Sequence, residues 1–217
     1  MIKAFIFDLD GVLVSTDDYH YRSWMRIAEE EGFDFFDYEF NHKFRGVGRM
    51  ECIDIITRAS GKQYTDEQKK ELAERKNRYF VESLESLTPD ALFPGVLDLL
   101  NELRKRNIRT AVASNSKNAM TIIEKVGIKS LLDTIVDGYQ ITNSKPDPEV
   151  FLLAARKLNV DPSECLVFED AVAGIEAAKR AGMKAIGIGT QTRLPNAEIV
   201  IPNIAHLNLD SILKAYN

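Results

Sequence analysis

The spacing of hydrophobic and polar positions changes character twice along this chain. Ala4–Phe7 is continuously apolar and stops at Asp8-Leu9-Asp10-Gly11, which reads as a short strand buried on both faces and ended by a polar loop. From Asp17 to about Leu87 the spacing turns helical and the residues are rich in Glu, Lys, Arg and Leu. It predicts helices over Tyr19–Glu31, Met50–Ala59 and Asp66–Leu84, the last opened by a capping box of Thr65 and Gln68. No strand pattern interrupts this stretch.

After Pro94-Gly95, strands and helices alternate. The pattern predicts helix Val96–Arg106, strand Arg109–Ala113, helix Ser116–Val126, strand Thr134–Asp137, helix Glu149–Leu158 and strand Cys165–Phe168. Helix Val172–Ala181 follows, closed at Gly182, then strands Ala185–Ile188 and Ile199–Ile201 and a last helix Leu209–Tyr216. Strands separated by helices of this length imply right-handed crossovers, and so an α/β fold with a parallel sheet and helices on both faces. The expected organisation is a sheet-based core domain of residues 1–15 and 92–217, with a small all-helical domain, 16–91, inserted after the first strand.

Composition narrows the partners. The 217 residues are 45% hydrophobic and 28% charged, enough to bury a core of ordinary size. A net charge of −5 argues against nucleic acid or an anionic membrane as partner. Cys52 and Cys165, with no CxxC spacing, suggest neither a disulfide framework nor a zinc site. The apolar stretch near Met1 is too short and too soon broken by aspartates for a signal peptide or a membrane span, so a cytoplasmic protein is expected. No long exposed apolar segment is evident, which points to a monomer.

In a doubly wound sheet the active crevice lies beyond the carboxyl ends of the strands. The first strand ends in Asp8-Leu9-Asp10, the second in Ser114-Asn115-Ser116 and the fourth in Glu169-Asp170, while the loop after the third carries Ser144-Lys145-Pro146. Strand ends are often polar merely because loops are solvated, but four such clusters on one edge are a stronger signal than any one. Asp8, Asp10, Glu169 and Asp170 would repel one another without a cation, and hard oxygen ligands suit Mg²⁺. A carboxylate can also attack phosphorus, and a second acid two residues on can protonate the departing oxygen and later deprotonate the incoming one. Lys145 would neutralise the phosphoryl group and keep Asp8 ionised, although taken alone it reads as a solvated surface lysine. Ser114 and nearby backbone N–H groups, ahead of a helix at Ser116, would cradle phosphate.

These four motifs, in order and spanning the chain, resemble the signature of the haloacid dehalogenase superfamily of phosphotransferases. That resemblance implies a Rossmann-like core, a helical cap and Mg²⁺. More closely, the chain is similar to the β-phosphoglucomutase family. The likeness rests on Phe7–Val12, Thr16, Tyr19-His20, Trp24, Gly46-Val47-Gly48-Arg49, Arg75-Lys76-Asn77, Ser114–Asn118 and Asn143–Pro146. Members of that family are isomerases that interconvert β-D-glucose 1-phosphate and glucose 6-phosphate through β-D-glucose 1,6-bisphosphate.

The resemblance implies Asp8 as nucleophile and Mg²⁺ ligand, and Asp10 as general acid/base with its carbonyl on the metal. It implies Asp170 as the third protein ligand, with Glu169 alongside. Ser114 and Lys145 match the residues that hold the transferred phosphoryl group. Arg49, Ser116, Lys117 and Asn118 match those on the other phosphate, and Gly46 and Val47 resemble sugar-contacting positions. Thr16, His20 and Lys76 match cap and hinge residues that couple closure to Asp10. Trp24, also matched in the cap, reads on its own as cap core, as do Phe33, Phe35 and Phe36; Arg49 alone reads as a surface arginine and His20 as structural. Gly48 and Cys52 stand where the family often has serine, and Ser15 where it has aspartate; the first two lie near Arg49 and leave the sugar preference open.

Two basic clusters, Lys145 with Ser114 and Arg49 with Lys117, favour a mutase, because a bisphosphate needs two anion sites. A Mg²⁺-dependent sugar-phosphate phosphatase on the same core is the alternative. A non-catalytic phosphate-binding protein would lack the nucleophile or the acid, and both aspartates are present.

Overall fold

The structure, a computed structural model, describes residues 1–44 and 47–216. The chain divides into two compact units, Met1–Ser15 with Thr88–Asn217, and Thr16–Leu87.

The larger unit is built on β1 (Ala4–Phe7), β2 (Arg109–Ala113), β3 (Thr134–Val136), β4 (Cys165–Glu169), β5 (Lys184–Ile188) and β6 (Ile199–Ile201). They form one sheet in the order β3-β2-β1-β4-β5-β6, every neighbouring pair parallel. β1 pairs with β2 on one side and β4 on the other, and all four of its residues are buried, which is why its sequence carries no polar alternation. From β1 the chain builds outward through β2 and β3, then crosses back to place β4 on the far side. The strand order therefore reverses between β1 and β4, and that reversal opens the crevice at their carboxyl ends.

Helix Val96–Lys105 packs on β2, helix Glu149–Leu158 on β1, β2 and β3, and helix Val172–Arg180 on β4 and β5. Val150, Phe151, Ala154, Val167, Ile175 and Ala178 belong to the core that results. Helix Ala119–Lys125 starts three residues later than the sequence pattern predicts. The serines explain the delay: Ser114 Oγ accepts from the Ser116 N–H at 3.0 Å, and Ser116 Oγ accepts from the Asn118 N–H at 3.2 Å. Such local side-chain bonds compete with the first helical turn. The helix start expected at Ser116 is instead a serine-bonded turn.

The smaller unit contains only helices among its described residues: Asp17–Glu31, Tyr38–Asn41, Arg49–Ala59 and Asp66–Ser83. The second is one turn long, too short to show a period, and Asp37 caps it by accepting from the Phe40 N–H at 2.7 Å. Both bonds of the Thr65–Gln68 capping box form. Trp24, Phe33, Phe36, Phe44, Ile53 and Leu72 share the core of this unit. Arg75 ties the first long helix to the last by pairing with Glu30 and Glu31, and also pairs with Glu71 one turn back in its own helix. Both cysteines are free and buried, and burial pushes each thiol up to about 12, so neither is a nucleophile. Among the described residues no helix is long and apolar enough to cross a membrane.

Candidate active site

The carboxyl ends of β1 and β4 bring Asp8, Glu169 and Asp170 together. All three are buried, and one ligand atom from each lies within 4.8 Å of the others. Their backbone comes from the sheet itself: the Asp8 N–H continues the ladder onto the Phe168 carbonyl at 2.9 Å. Lys145, from the loop after β3, reaches into this cluster. Its ammonium donates to Asp8 Oδ1 at 2.5 Å, Glu169 Oε1 at 2.6 Å and the Ala113 carbonyl at 3.1 Å, which uses all three of its N–H bonds. Glu169 Oε2 accepts from the Ala171 N–H at 2.9 Å, so both oxygens of Glu169 are fixed. Asn115 Oδ1 accepts from the Lys145 N–H at 3.3 Å, and the Lys145–Pro146 peptide is cis.

Burial, then the lysine, then the other carboxylates set the pKa of Asp8. Burial raises its pKa, Lys145 opposes this, and Glu169, Asp10 and Asp170 raise it further, so the carboxyl stands well above its ordinary value. Lys145 pulls the Asp8 pKa down, the direction expected of it, against the larger effect of burial. Burial also works against the ammonium of Lys145, but Asp8 and Glu169 outweigh it and hold its pKa above the usual value. Lys145, itself buried, thus meets two of the three buried carboxylates. That surplus of hard oxygen donors fits a divalent cation such as Mg²⁺.

Glycines shape the cluster. A Cβ on Gly174 would lie 1.9 Å from Glu169 Oε1, and one on Gly11, whose φ is +85°, would lie 2.5 Å from Asp170 Oδ2. The helix Val172–Arg180 therefore meets Glu169 only because it carries a glycine in its first turn. A glycine inside an apolar helical pattern is the signal that could have flagged it. The sequence pattern names Asn115 only as part of its strand-end motif, with no role, and does not mark Arg193. Arg193 pairs with Asp170 at 3.4 Å from a loop with no periodic signal.

The remaining expected residues of this unit lie near the same edge. Asp10 is half-buried in a bridge with Val14 and is not part of the three-carboxylate cluster. Ser114 is buried at the end of β2, between Ala113 and Asn115, which both bond Lys145. Ser116 and Asn118 form the turn described above, and exposed Lys117 places its ammonium 5.3 Å from the Tyr139 ring centroid.

In the helical unit, His20, Trp24 and Lys76 converge. Lys76 Nζ lies 2.8 Å from His20 Nδ1 and over the rings of Phe80 and Trp24. Burial, then Lys76, then Arg49 hold His20 well below its usual pKa, and so neutral. Trp24 sits in the helical core, 4.9 Å from Phe44. Thr16 is buried and its carbonyl accepts from the His20 N–H. Val47 packs against the same core, and half-buried Arg49 opens its helix behind Gly48. Gly46 lies outside the described residues.

A model of haloacid dehalogenase-like hydrolases matches residues 2–182. The chain is 40% identical over 211 residues to a β-phosphoglucomutase of Bacillus subtilis, covering 96% of this chain and 93% of the relative. It is 34% identical over 188 residues to a phosphorylated carbohydrates phosphatase of Thermotoga maritima, covering 85% and 84%. The crystal structure of a β-phosphoglucomutase from Clostridium difficile superposes with a TM-score of 0.94 at 39% identity, covering 100% of this chain and 98% of that one.

Proposed function

This chain is an enzyme of the haloacid dehalogenase-like hydrolase family, and from that membership we propose that it interconverts β-D-glucose 1-phosphate and D-glucose 6-phosphate. The observation that carries the reading is the buried Asp8–Lys145–Glu169 centre beside Asp170. The 40% identity to a β-phosphoglucomutase supports the choice of substrate.

The reaction begins with a phosphoryl group on Asp8. The 6-hydroxyl of β-glucose 1-phosphate attacks that phosphorus, Asp10 takes the hydroxyl proton, and the carboxylate of Asp8 leaves. The product is β-glucose 1,6-bisphosphate. It then presents its other end: Asp8 attacks the 1-phosphate, the bond to the C1 oxygen breaks, and Asp10 returns its proton to that oxygen. Glucose 6-phosphate departs and Asp8 is phosphorylated again. Lys145 and Ser114 hold the transferring group. Ser116, Lys117 and Asn118 bind the other phosphate, and Arg49 and Val47 of the helical unit are assigned to substrate binding. Thr16, His20, Trp24 and Lys76 support the helical unit. Asp8, Asp170 and the backbone carbonyl of Asp10, with Glu169 alongside, would hold Mg²⁺, which supplies positive charge to the phosphoryl oxygens.

The likeness to a carbohydrate phosphatase favours a second reading, in which water rather than sugar takes the phosphoryl group from Asp8. One assay separates the two. The protein is given β-glucose 1-phosphate, Mg²⁺ and a trace of the bisphosphate, and glucose 6-phosphate and free phosphate are followed together. Glucose 6-phosphate in large excess over phosphate is expected; phosphate release without isomerisation would establish the phosphatase. Arg49→Ala is expected to slow the mutase while sparing hydrolysis of the aspartyl phosphate.

A further inference from the structure

Lys145 accounts for Asp8 and Glu169 but not for Asp170, whose carboxylate meets a second cation. Arg193 Nη2 donates to the backbone carbonyl of Asp170 at 3.2 Å and to its Oδ2 at 3.4 Å. The guanidinium thus grips one residue by main chain and side chain at once. Oδ2 is also the atom that Gly11 must leave room for, so Asp170 is bounded by the β1 loop on one side and by Arg193 on another.

The segment between β5 and β6 is built to deliver this arginine. Leu194 and Ala197 are buried and lie where a side chain on Gly187 would be, 2.8 and 3.1 Å from its would-be Cβ. Gln191 Nε2 ties the turn by donating to the carbonyls of Leu194 and Ala197 at 3.3 and 3.2 Å. The N–H groups of Arg193 and Leu194 both donate to the Thr190 carbonyl at 3.1 Å. The backbone of Arg193 is therefore anchored by the residue that follows it, which is seated in the core.

We propose that Arg193 is a positioning residue of the metal site: it acts through Asp170, and its charge sets how tightly the acidic cluster takes Mg²⁺. This rests on the Mg²⁺ reading given above. A fixed positive charge on a ligand carboxylate competes with an arriving cation for the same negative charge. Arg193 holds Asp170 in place at the cost of affinity, so that Mg²⁺ is bound less tightly than three buried carboxylates and one lysine would bind it.

The test is calorimetric titration of Mg²⁺ into the full chain, comparing wild type with Arg193→Gln and Arg193→Lys. Glutamine keeps a donor for the Asp170 carbonyl and removes the charge; lysine keeps the charge. Arg193 is 43% exposed in its side chain, so both variants should fold. The glutamine variant is expected to bind Mg²⁺ tighter by a factor on the order of five, as suits a half-exposed ion pair. That gain should shrink as salt is added. The lysine variant should stay within about twofold of wild type, a rescue that a merely structural role would not produce. If wild type binds Mg²⁺ and the glutamine variant binds it equally or more weakly, the role of Arg193 is overturned and the metal reading stands. If wild type takes no Mg²⁺, both fall.

Discussion

Two lysines among the described residues are buried to the same degree, each 3% exposed, and their surroundings differ. Lys145, in the sheet unit, touches two carboxylates and a carbonyl. Lys76, in the helical unit, meets a neutral imidazole and two aromatic faces. Burial alone therefore says little about what a lysine does. At Lys145 the desolvation cost is offset by full ion pairs in a site already over-supplied with negative charge. At Lys76 aromatic quadrupoles and a ring nitrogen contribute, and the charge repels the proton of His20.

The sharpest way to break this comparison is to replace each lysine by methionine. Lys145→Met leaves two buried carboxylates without their counter-charge, and should cost about 3–5 kcal/mol in urea denaturation without Mg²⁺, with turnover abolished. Lys76→Met exchanges a desolvated cation for an apolar chain of similar length and should change stability by about 1 kcal/mol or less. Equal losses would mean that the two environments are equivalent. An effect smaller than that of Lys145→Met is expected at Gly174. Gly174→Ala drives a methyl group into Glu169 and should cost roughly 1–3 kcal/mol and most of the turnover. Gly182→Ala, where a side chain meets nothing within 4 Å but φ is +74°, should cost about 1–2 kcal/mol and leave turnover intact.

The carboxylate cluster was legible in the sequence because a parallel sheet forces the polar ends of distant strands onto one edge. Asp8, Lys145, Glu169 and Asp170 meet as that rule requires. What the sequence concealed depends on tertiary detail. The start of the helix after β2 moved because Ser114 and Ser116 bond the backbone locally, which propensity does not register. The balance at Asp8 depends on burial and on neighbouring carboxylates, which raise its pKa against Lys145 and which a list of residue types does not show. Arg193 and Asn115 act through contacts that only the folded loops create. The order of strands within the sheet was likewise not read, since hydrophobic runs mark strands without saying which are neighbours.

A pH-dependent effect sharpens the helical side of the comparison. His20 is held below its usual value of 6.5, so the unfolded chain binds its proton more readily than the native one. Stability from this group is complete above pH 6.5 and falls as pH drops below it, by at most about 1.4 kcal/mol per pH unit. The difference between wild type and His20→Gln in urea midpoints from pH 7 to 5 isolates this slope. In Lys76→Met the His20 titration, followed by NMR, should move up toward its ordinary value.

The central claim is that the phosphoryl group passes through the carboxylate of Asp8. The most direct measurement is rapid acid quenching of the Mg²⁺-loaded protein after mixing with phosphorus-labelled β-glucose 1,6-bisphosphate, followed by peptide mapping. The label should appear on the peptide containing Asp8, leave it when β-glucose 1-phosphate is added, and be missing in Asp8→Asn. Turnover with no labelled enzyme, or with label on any other residue, would contradict the account.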